Sequence, residues 1–356
     1  MKYWVERWSE LRKEELITYP ATFPVHEIYQ ELYHQEEVIN GYKELYGVFL
    51  AVYNDIVQDA ERMLLPVFDI SQYGYFSSEA RQSRNASYKY AHILYALGCS
   101  GSMNQEGELC IPMKVLKEMC KSLKITNLSA HLKLLTDYGF IIDGLLDGRI
   151  KSDIIFVHFP DNKTLIYALH ALAVKSKKTD RFRDFCRMNY KLLADDWNTA
   201  DFGNGVDFVT DLLKSDQDKA IAQSIHNELL NRNYFCNKQE WNEGPQIRYY
   251  KKENDCKRNT NAGFWLTSMD TKLLLYFRIA NMEKVIEYIS SCPESVIHTF
   301  LQSDPGCMKR EGGCASGISY QFQEQLIWRC GCCNPNFQTI PKEDDYIYYI
   351  NAAELA

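Results

Sequence analysis

The sequence lacks any apolar run close to the roughly 18 residues that a membrane-spanning helix needs, because charged residues interrupt it throughout. Its first eight residues mix charges of both signs and are not typical of a secretory signal. No internal repeat is apparent, which disfavours solenoids and propellers. We therefore expect a soluble, cytoplasmic, globular protein without a membrane partner, and its 356 residues suffice for two or three domains.

Sequence motifs of common enzyme classes are also missing. The chain has no Gly-x-x-x-x-Gly-Lys-Ser/Thr phosphate loop, no Gly-x-Gly-x-x-Gly fingerprint, no His-Glu-x-x-His pair and no Gly-x-Ser-x-Gly turn. Catalytic residues can nevertheless be scattered along a chain, so an enzyme of unrecognised type stays open. A cavity lined by titratable groups with perturbed pKa values would favour that reading.

The charge is distributed unevenly, although the net charge is only −7. Residues 81–191 carry 18 basic and 10 acidic side chains, whereas residues 1–80 carry 6 and 14 and residues 192–356 carry 16 and 23. A basic block between two acidic blocks is typical of a module that faces a polyanion. A solvated lysine-rich face would give the same pattern.

Residues 86–160 contain an informative order of predicted elements. These are a helix that ends at Gly98, an extended piece at Glu108–Ile111, a helix opened by Pro112, a helix from about Asn127 to Tyr138, and a hairpin. The hairpin turns at Asp147-Gly148, a dipeptide that suits a type I′ turn because both central positions need positive φ. Helix, strand, helix, helix, hairpin is the winged helix-turn-helix order.

The segment from Thr126 to Ile141, TNLSAHLKLLTDYGFI, contains a Ser-x-His-Leu-x-x-Leu core and a Gly-Phe-Ile exit. It resembles the recognition-helix segment of winged-helix bacterial repressors of the arsenic-repressor and multiple-antibiotic-resistance type. The resemblance extends over about residues 86–160. It implies a central winged helix-turn-helix and duplex DNA as a partner.

Six residues are candidates for DNA contact in such a fold: Asn127, Ser129, His131 and Lys133 on the helix, and Arg149 and Lys151 after the hairpin turn. The first turns of a recognition helix enter the major groove, and the hairpin tip meets the DNA backbone. Simpler roles are open, because Asn127 can serve as an N-cap and His131 as a packed flank residue. The helix has no arginine, so bidentate guanine recognition is missing.

Twelve cysteines without a targeting signal favour reduced thiols. Half of them lie in the last seventy residues, and a structural zinc there would use Cys307, Cys314, Cys330 and Cys332, with Cys333 as a substitute. The sequence does not contain two Cys-x-x-Cys pairs, however. A redox-active pair or purely structural thiols are therefore alternatives to zinc.

The predicted fold class is α+β and mostly helical. A helical N-terminal block spans residues 1–80, a winged-helix domain with its following helices spans 81–194, and an α+β domain with a cysteine-rich C-terminal hairpin spans 195–356. In the last domain we expect a helix at Ser215–Asn231, a buried strand at Lys272–Ile279, and pairing of Ile318–Phe322 with Leu326–Cys330. The stretch from Gly313 onward loosely resembles C-terminal domains of uncharacterised Firmicute proteins, which implies no activity.

These observations lead to one main functional hypothesis and two alternatives. The main hypothesis is a one-component transcriptional regulator that binds duplex DNA as a homodimer and whose C-terminal domain senses a small molecule, a metal or a thiol state. A scaffold or interaction protein, whose winged helix never meets DNA, is the first alternative. An enzyme of unrecognised type is the second.

Overall fold

The computed structural model describes residues 1–75, 77–179, 181–194, 205–241, 244–269, 271–302, 318–329 and 337–356. The chain is α+β and about half of it is helical, which confirms the predicted class at that level. It divides into two compact units, residues 1–200 and 201–356. Within the described ranges, no helix combines the length and apolarity that crossing a membrane requires.

The first unit is built mainly of helices around one small sheet. Its helices are α1 (Trp4–Glu14), α2 (Gln35–Gln58), α3 (Ser78–Ala86), α4 (Lys89–Ser100), α5 (Met113–Ser122), α6 (Leu128–Leu135), α7 (Lys163–Lys178), α8 (Phe182–Cys186) and α9 (Lys191–Ala194). Its strands are β1 (Ser102–Met103), β2 (Leu109–Pro112), β3 (Ile141–Asp143), β4 (Leu145–Leu146), β5 (Arg149–Ile150) and β6 (Ile154–His158).

Helix α7 is the central element of the first unit. It packs against α2, α4, α8 and the sheet, and apolar side chains are buried around its whole circumference. Two glycines let neighbouring backbones approach it closely. A Cβ at Gly41 of α2 would collide with the Thr164 carbonyl, and a Cβ at Gly98 of α4 would lie 2.6 Å from the Ala173 Cβ. The helix predicted to end at Gly98 therefore continues to Ser100, because this glycine serves packing and not termination.

Four strands of the first unit form an antiparallel sheet in the order β1-β2-β6-β3. The predicted hairpin is present in two parts: β3 pairs with β6 at its base, and β4 pairs with β5 at its tip. Asp147 and Gly148 connect β4 to β5 with φ of 51° and 71°, so both turn residues have the positive φ that was expected. The hairpin thus extends beyond the sheet.

The second unit contains a five-stranded antiparallel sheet in the order β13-β10-β9-β8-β7 and a separate β11-β12 pair. Its strands are β7 (Phe235–Trp241), β8 (Gly244–Tyr250), β9 (Phe264–Met269), β10 (Lys272–Phe277), β11 (Ile318–Phe322), β12 (Gln325–Arg329) and β13 (Phe337–Thr339). Its helices are α10 (Asp207–Thr210), α11 (Asp216–Asn231), α12 (Glu253–Arg258), α13 (Ile286–Ser290), α14 (Glu294–Leu301) and α15 (Asp345–Leu355).

The local predictions for the second unit are confirmed. Helix α11 begins after Ser215, whose hydroxyl accepts a hydrogen bond from the Asp218 N–H at 3.2 Å, β10 lies within the predicted strand, and β11 pairs with β12. Aromatic packing closes the core: the Phe277 ring stacks on Phe337 at 5.3 Å and on Tyr349 at 5.0 Å between centroids.

In the first unit, α3 spans the domain boundary predicted near residue 80. The division into three domains stays a prediction.

The close approach of α2 to α7 is testable with a pair of glycine variants. Gly41→Ala should lower the free energy of unfolding by about 1–3 kcal/mol, because its Cβ has no space against the Thr164 carbonyl. Gly47→Ala on the same helix is the matched control, since nothing lies within 4 Å of its Cβ. It should be neutral or stabilising by up to about 1 kcal/mol. Urea unfolding of both variants measures this, and equal effects would contradict it.

Candidate nucleic-acid interface

Helix α5 supplies the first part of the candidate interface. It buries Met113, Leu116 and Cys120, and this places Lys117 and Lys121 on its exposed side. Proline at position 112 ends the preceding strand in extended conformation and leads directly into the helix. The lysines are therefore displayed on a helix whose opposite face is anchored in the core.

The turn between α5 and α6 has an unusual backbone. Lys124 and Asn127 have φ of 55° and 54°, in the left-handed region that few non-glycine residues adopt. Between them Ile125 is buried, and its N–H donates to the Cys120 carbonyl oxygen at 2.8 Å. This closes the end of α5. Asn127 precedes α6 but its side chain makes no cap hydrogen bond to it, so the alternative role as a side-chain N-cap is not realised.

Helix α6 is fixed by its apolar side and by its C-terminal end. Leu132 and Leu135 are fully buried. Just beyond the helix, the Tyr138 hydroxyl donates to Asp55 Oδ2 at 2.7 Å, and the same carboxylate forms an ion pair with Arg62 at 2.5 Å. The acidic N-terminal segment thus reaches the C-terminal end of α6.

The tip of the hairpin lies beside α6. A Cβ at Gly148 would be 3.6 Å from the Cδ of Lys133, so the turn and this lysine are neighbours. Arg149 and Lys151 follow the turn, and all three cationic side chains are exposed. The Lys151 ammonium is 3.9 Å from the Asp147 carboxylate, a surface pair that contributes little stability. The hairpin turn therefore brings exposed cationic residues of the hairpin close to α6.

A groove of about 1070 Å³ runs between α5, α6 and the hairpin; we call it the helix–hairpin groove. Its charged lining residues are Lys117, Lys121, Lys124, Lys151 and Asp153. Its polar lining includes the N-terminal end of α6, where backbone N–H groups favour an anion. The groove is therefore electropositive.

Three of the six residues predicted to contact DNA line the helix–hairpin groove: Asn127 and Lys151, which are exposed, and Ser129, which is half-buried. Lys133 and Arg149 are exposed beside the hairpin tip but are not among the lining residues. The lysines of α5 were not among the predicted contacts. The excess of basic residues in this part of the sequence was the signal that could have pointed to them.

His131 does not belong to this surface, and its inclusion among the contact residues is corrected here. Its side chain is 2 % exposed, and its Nδ1 lies 3.2 Å from the Tyr90 hydroxyl. Burial, reinforced by the nearby charge of Lys89, lowers the pKa of His131 to about 4. The ring is therefore neutral at physiological pH and acts as a packing residue under α6.

A second cluster, at one end of the β2-β6-β3 sheet, could hold a metal ion. Atoms of Glu108, Asp143 and His158 that can ligate a metal all lie within 4.8 Å of one another. His158 Nδ1 is 3.1 Å from Glu108 Oε1 and its Nε2 is 3.8 Å from Asp143 Oδ2. A carboxylate on one ring nitrogen orients the other nitrogen as a ligand in many metal sites. This cluster was not predicted from the sequence, because Glu108 precedes β2 whereas Asp143 and His158 lie in β3 and β6, far apart along the chain.

The zinc ligands predicted at Cys307, Cys314, Cys330 and Cys332, and the substitute Cys333, lie outside the described residues. Seven cysteines fall within the described ranges, and none of them is in a disulfide. Burial raises the pKa of the Cys99 and Cys120 thiols to about 11, so both are unreactive thiols at neutral pH.

The second unit has a cavity of its own, about 680 Å³ in volume, between α14, β13 and α15. Its charged and titratable lining residues are Glu294, His298, Lys342, Asp345 and Tyr349. Tyr349 is buried, and its hydroxyl lies 3.0 Å from Thr299 Oγ1, which positions it as part of the cavity floor. Both charge signs are present, so the lining selects no single ligand class.

Comparisons with known proteins add no further constraint. No protein-family model matches the chain, and searches of curated proteins and of solved structures gave no match.

The buried state of His131 predicts a loss of stability in acid. Its folded-state pKa of about 4 lies below the roughly 6.5 of an unfolded histidine, so the unfolded chain binds the proton first as the pH falls. The stabilising contribution of the neutral His131 ring is present above pH 6.5 and is lost as the pH falls toward 4. Between pH 7 and pH 5, the free energy of unfolding of His131→Gln should therefore fall by about 2 kcal/mol less than that of the native chain. Urea unfolding at both values measures this difference.

The exposed His298 provides the control for this experiment. His298→Gln should keep the pH dependence of the native chain. A His131→Gln variant whose stability falls as steeply with pH as that of the native chain would contradict the assignment.

Proposed function

We propose that residues 86–160 form a winged helix-turn-helix and that the protein is a transcriptional regulator that binds duplex DNA. The observation that carries the proposal is a groove lined by four lysines between a helix N-terminus and a projecting hairpin. The lysines are Lys117, Lys121, Lys124 and Lys151, and Lys133 lies beside the hairpin turn.

The order of elements supports the winged-helix assignment. Helix α4, strand β2, helices α5 and α6, and the β3–β6 hairpin follow one another as the three helices and the wing of that fold do. The central strands are arranged as β2-β6-β3, so the hairpin continues from the sheet that packs under the helices. In this assignment α6 is the recognition helix and the β4–β5 tip is the wing.

The proposed DNA contacts divide into two kinds. Lys117, Lys121, Arg149 and Lys151 would neutralise phosphates, which supplies affinity and register without reading sequence. Asn127 and Ser129, at the N-terminal end of α6, would lie nearest to base edges in the major groove. Lys133 lies between the helix and the wing and can serve either purpose.

Assembly and effector form part of the same proposal. Paired recognition helices normally read half-sites one helical turn apart, so we expect a homodimer on DNA. The cavity beside Tyr349 in the second unit offers one place for a small-molecule effector. The Glu108, Asp143 and His158 cluster offers a place for a metal effector.

The contact between Tyr138 and Asp55 favours a second candidate, an interaction module that does not bind DNA. It brings the acidic N-terminal segment against one end of α6, where its charge opposes the approach of phosphates. The contact lies at the end of the helix away from Asn127. For this reason DNA binding remains the function that the geometry supports better.

DNA binding across a salt series tests the proposal. The native chain should bind duplexes from a pool that includes the region upstream of its own gene, with affinity that falls steeply as salt rises. Lys133→Ala combined with Arg149→Ala should weaken binding, and should reduce the magnitude of the slope of log K against log salt by about 2. Fluorescence anisotropy measures both quantities.

A matched double variant, Lys214→Ala with Lys284→Ala, removes two exposed lysines of the second unit and should leave both quantities unchanged. The absence of binding by the native chain at low salt would overturn the proposed function and favour the interaction module.

A further inference from the structure

A second cavity of the first unit lies behind the α5–α6 turn; we call it the inner cavity. Its volume is about 550 Å³, which is sufficient for a small metabolite. Its walls include the C-terminal part of α3 and the N-terminal end of α4. The segment around Leu64 and Pro66 and the start of α8 at Phe182 also line it.

The charge of the inner cavity has one sign. Lys89, Lys124 and Arg183 line it, and no Asp or Glu is among its described lining residues. Lys89 is half-buried, and burial lowers the pKa of its ammonium. Throughout the described ranges, no carboxylate lies within ion-pair distance of Lys89 or Lys124. A partly desolvated cation without a counter-ion favours an anionic ligand.

Four of the twelve uncharged residues that line the inner cavity are aromatic: Tyr88, His92, His131 and Phe182. The His92 ring is 4.8 Å from the Phe182 ring and 6.1 Å from the Tyr88 ring, on which it stacks. Burial, together with the charges of Lys89 and Arg183, lowers the pKa of His92 to about 4, so this ring is neutral. The cavity thus offers cations beside flat apolar surfaces. That combination suits a ligand with an anionic group and an apolar body.

The inner cavity shares a wall with the helix–hairpin groove. Lys124, Thr126 and Asn127 line both spaces, so the α5–α6 turn separates them. Two of these residues are the ones held at positive φ, a conformation that depends on its surroundings for support. A ligand on one side of the turn therefore contacts the same residues that border the other side.

We propose that the inner cavity binds a small phosphate monoester with an apolar body, and that its occupation changes the affinity of the helix–hairpin groove for DNA. The effect on DNA affinity rests on the proposed function, whereas the binding of the ligand does not. Lys89 would contact the phosphate, and Phe182 would pack against the apolar body.

Ligand binding is tested on the full chain without DNA. The probes are phenyl phosphate, inorganic phosphate and phenol at constant ionic strength, measured by titration calorimetry. Phenyl phosphate should bind more tightly than either of the others, because only it engages both the cations and the aromatic wall. Lys89→Met, which keeps the length of the side chain, should weaken its binding about tenfold or more.

Two variants separate the inner cavity from the groove. Lys284→Met, on the second unit, should bind phenyl phosphate as the native chain does. The Lys133→Ala and Arg149→Ala double variant should also retain it, because neither residue lines the inner cavity. Failure of phenyl phosphate to bind at millimolar concentration, or binding that Lys89→Met leaves unchanged in a folded variant, would overturn the assignment.

Regulation is tested by repeating the DNA titration with phenyl phosphate present. The DNA affinity of the native chain should change by about fivefold or more, and that of Lys89→Met should not. Unchanged DNA affinity with the ligand bound would overturn the regulatory half. A chain that binds phenyl phosphate but no DNA would contradict the proposed function and leave the ligand site standing.

Discussion

Close contact between the backbones of α2, α4 and α7 is the constraint on which the first unit depends. Helix α7 is apolar on all sides, so its burial requires neighbours around its whole circumference. Gly41 and Gly98 allow two of these neighbours to approach within backbone contact. Once α4 and the sheet are placed against α7, the positions of α5, α6 and the hairpin follow from short connections. The candidate interface therefore rests on packing at some distance from it.

Two kinds of polar feature lie on this scaffold, and they differ in how they are satisfied. Side chains such as Tyr138 and His131 have partners within the chain and fix α6 to its surroundings. Lys89 and the groove lysines Lys117, Lys121 and Lys124 have no carboxylate within ion-pair distance among the described residues. A charged group without a counter-ion lowers the stability of the fold when it is partly desolvated. Such a group is therefore a better indicator of a ligand site than a charge that is paired within the chain.

Features set by neighbouring residues were predictable from the sequence. The Asp147-Gly148 turn, the Ser215 cap and the leucine spacing of α6 each depend on a few adjacent positions. Features set by distant residues were not. His131 is buried because it packs on Tyr90, which lies 41 positions earlier in the sequence. Gly98 lies inside a helix and not at its end, because the close approach of α7 leaves no space for a side chain there. The groove was anticipated only as an excess of basic residues, since its shape depends on where the hairpin tip meets α6.

The hydrogen bond from Tyr138 to Asp55 holds the C-terminal end of the α6 segment to α2. The N-terminal end carries Asn127 and Ser129, which border the helix–hairpin groove, and Asn127 also borders the inner cavity. The two ends of this short segment therefore differ in kind: one is tied to the acidic N-terminal segment, and the other is the end that a ligand in either space would contact.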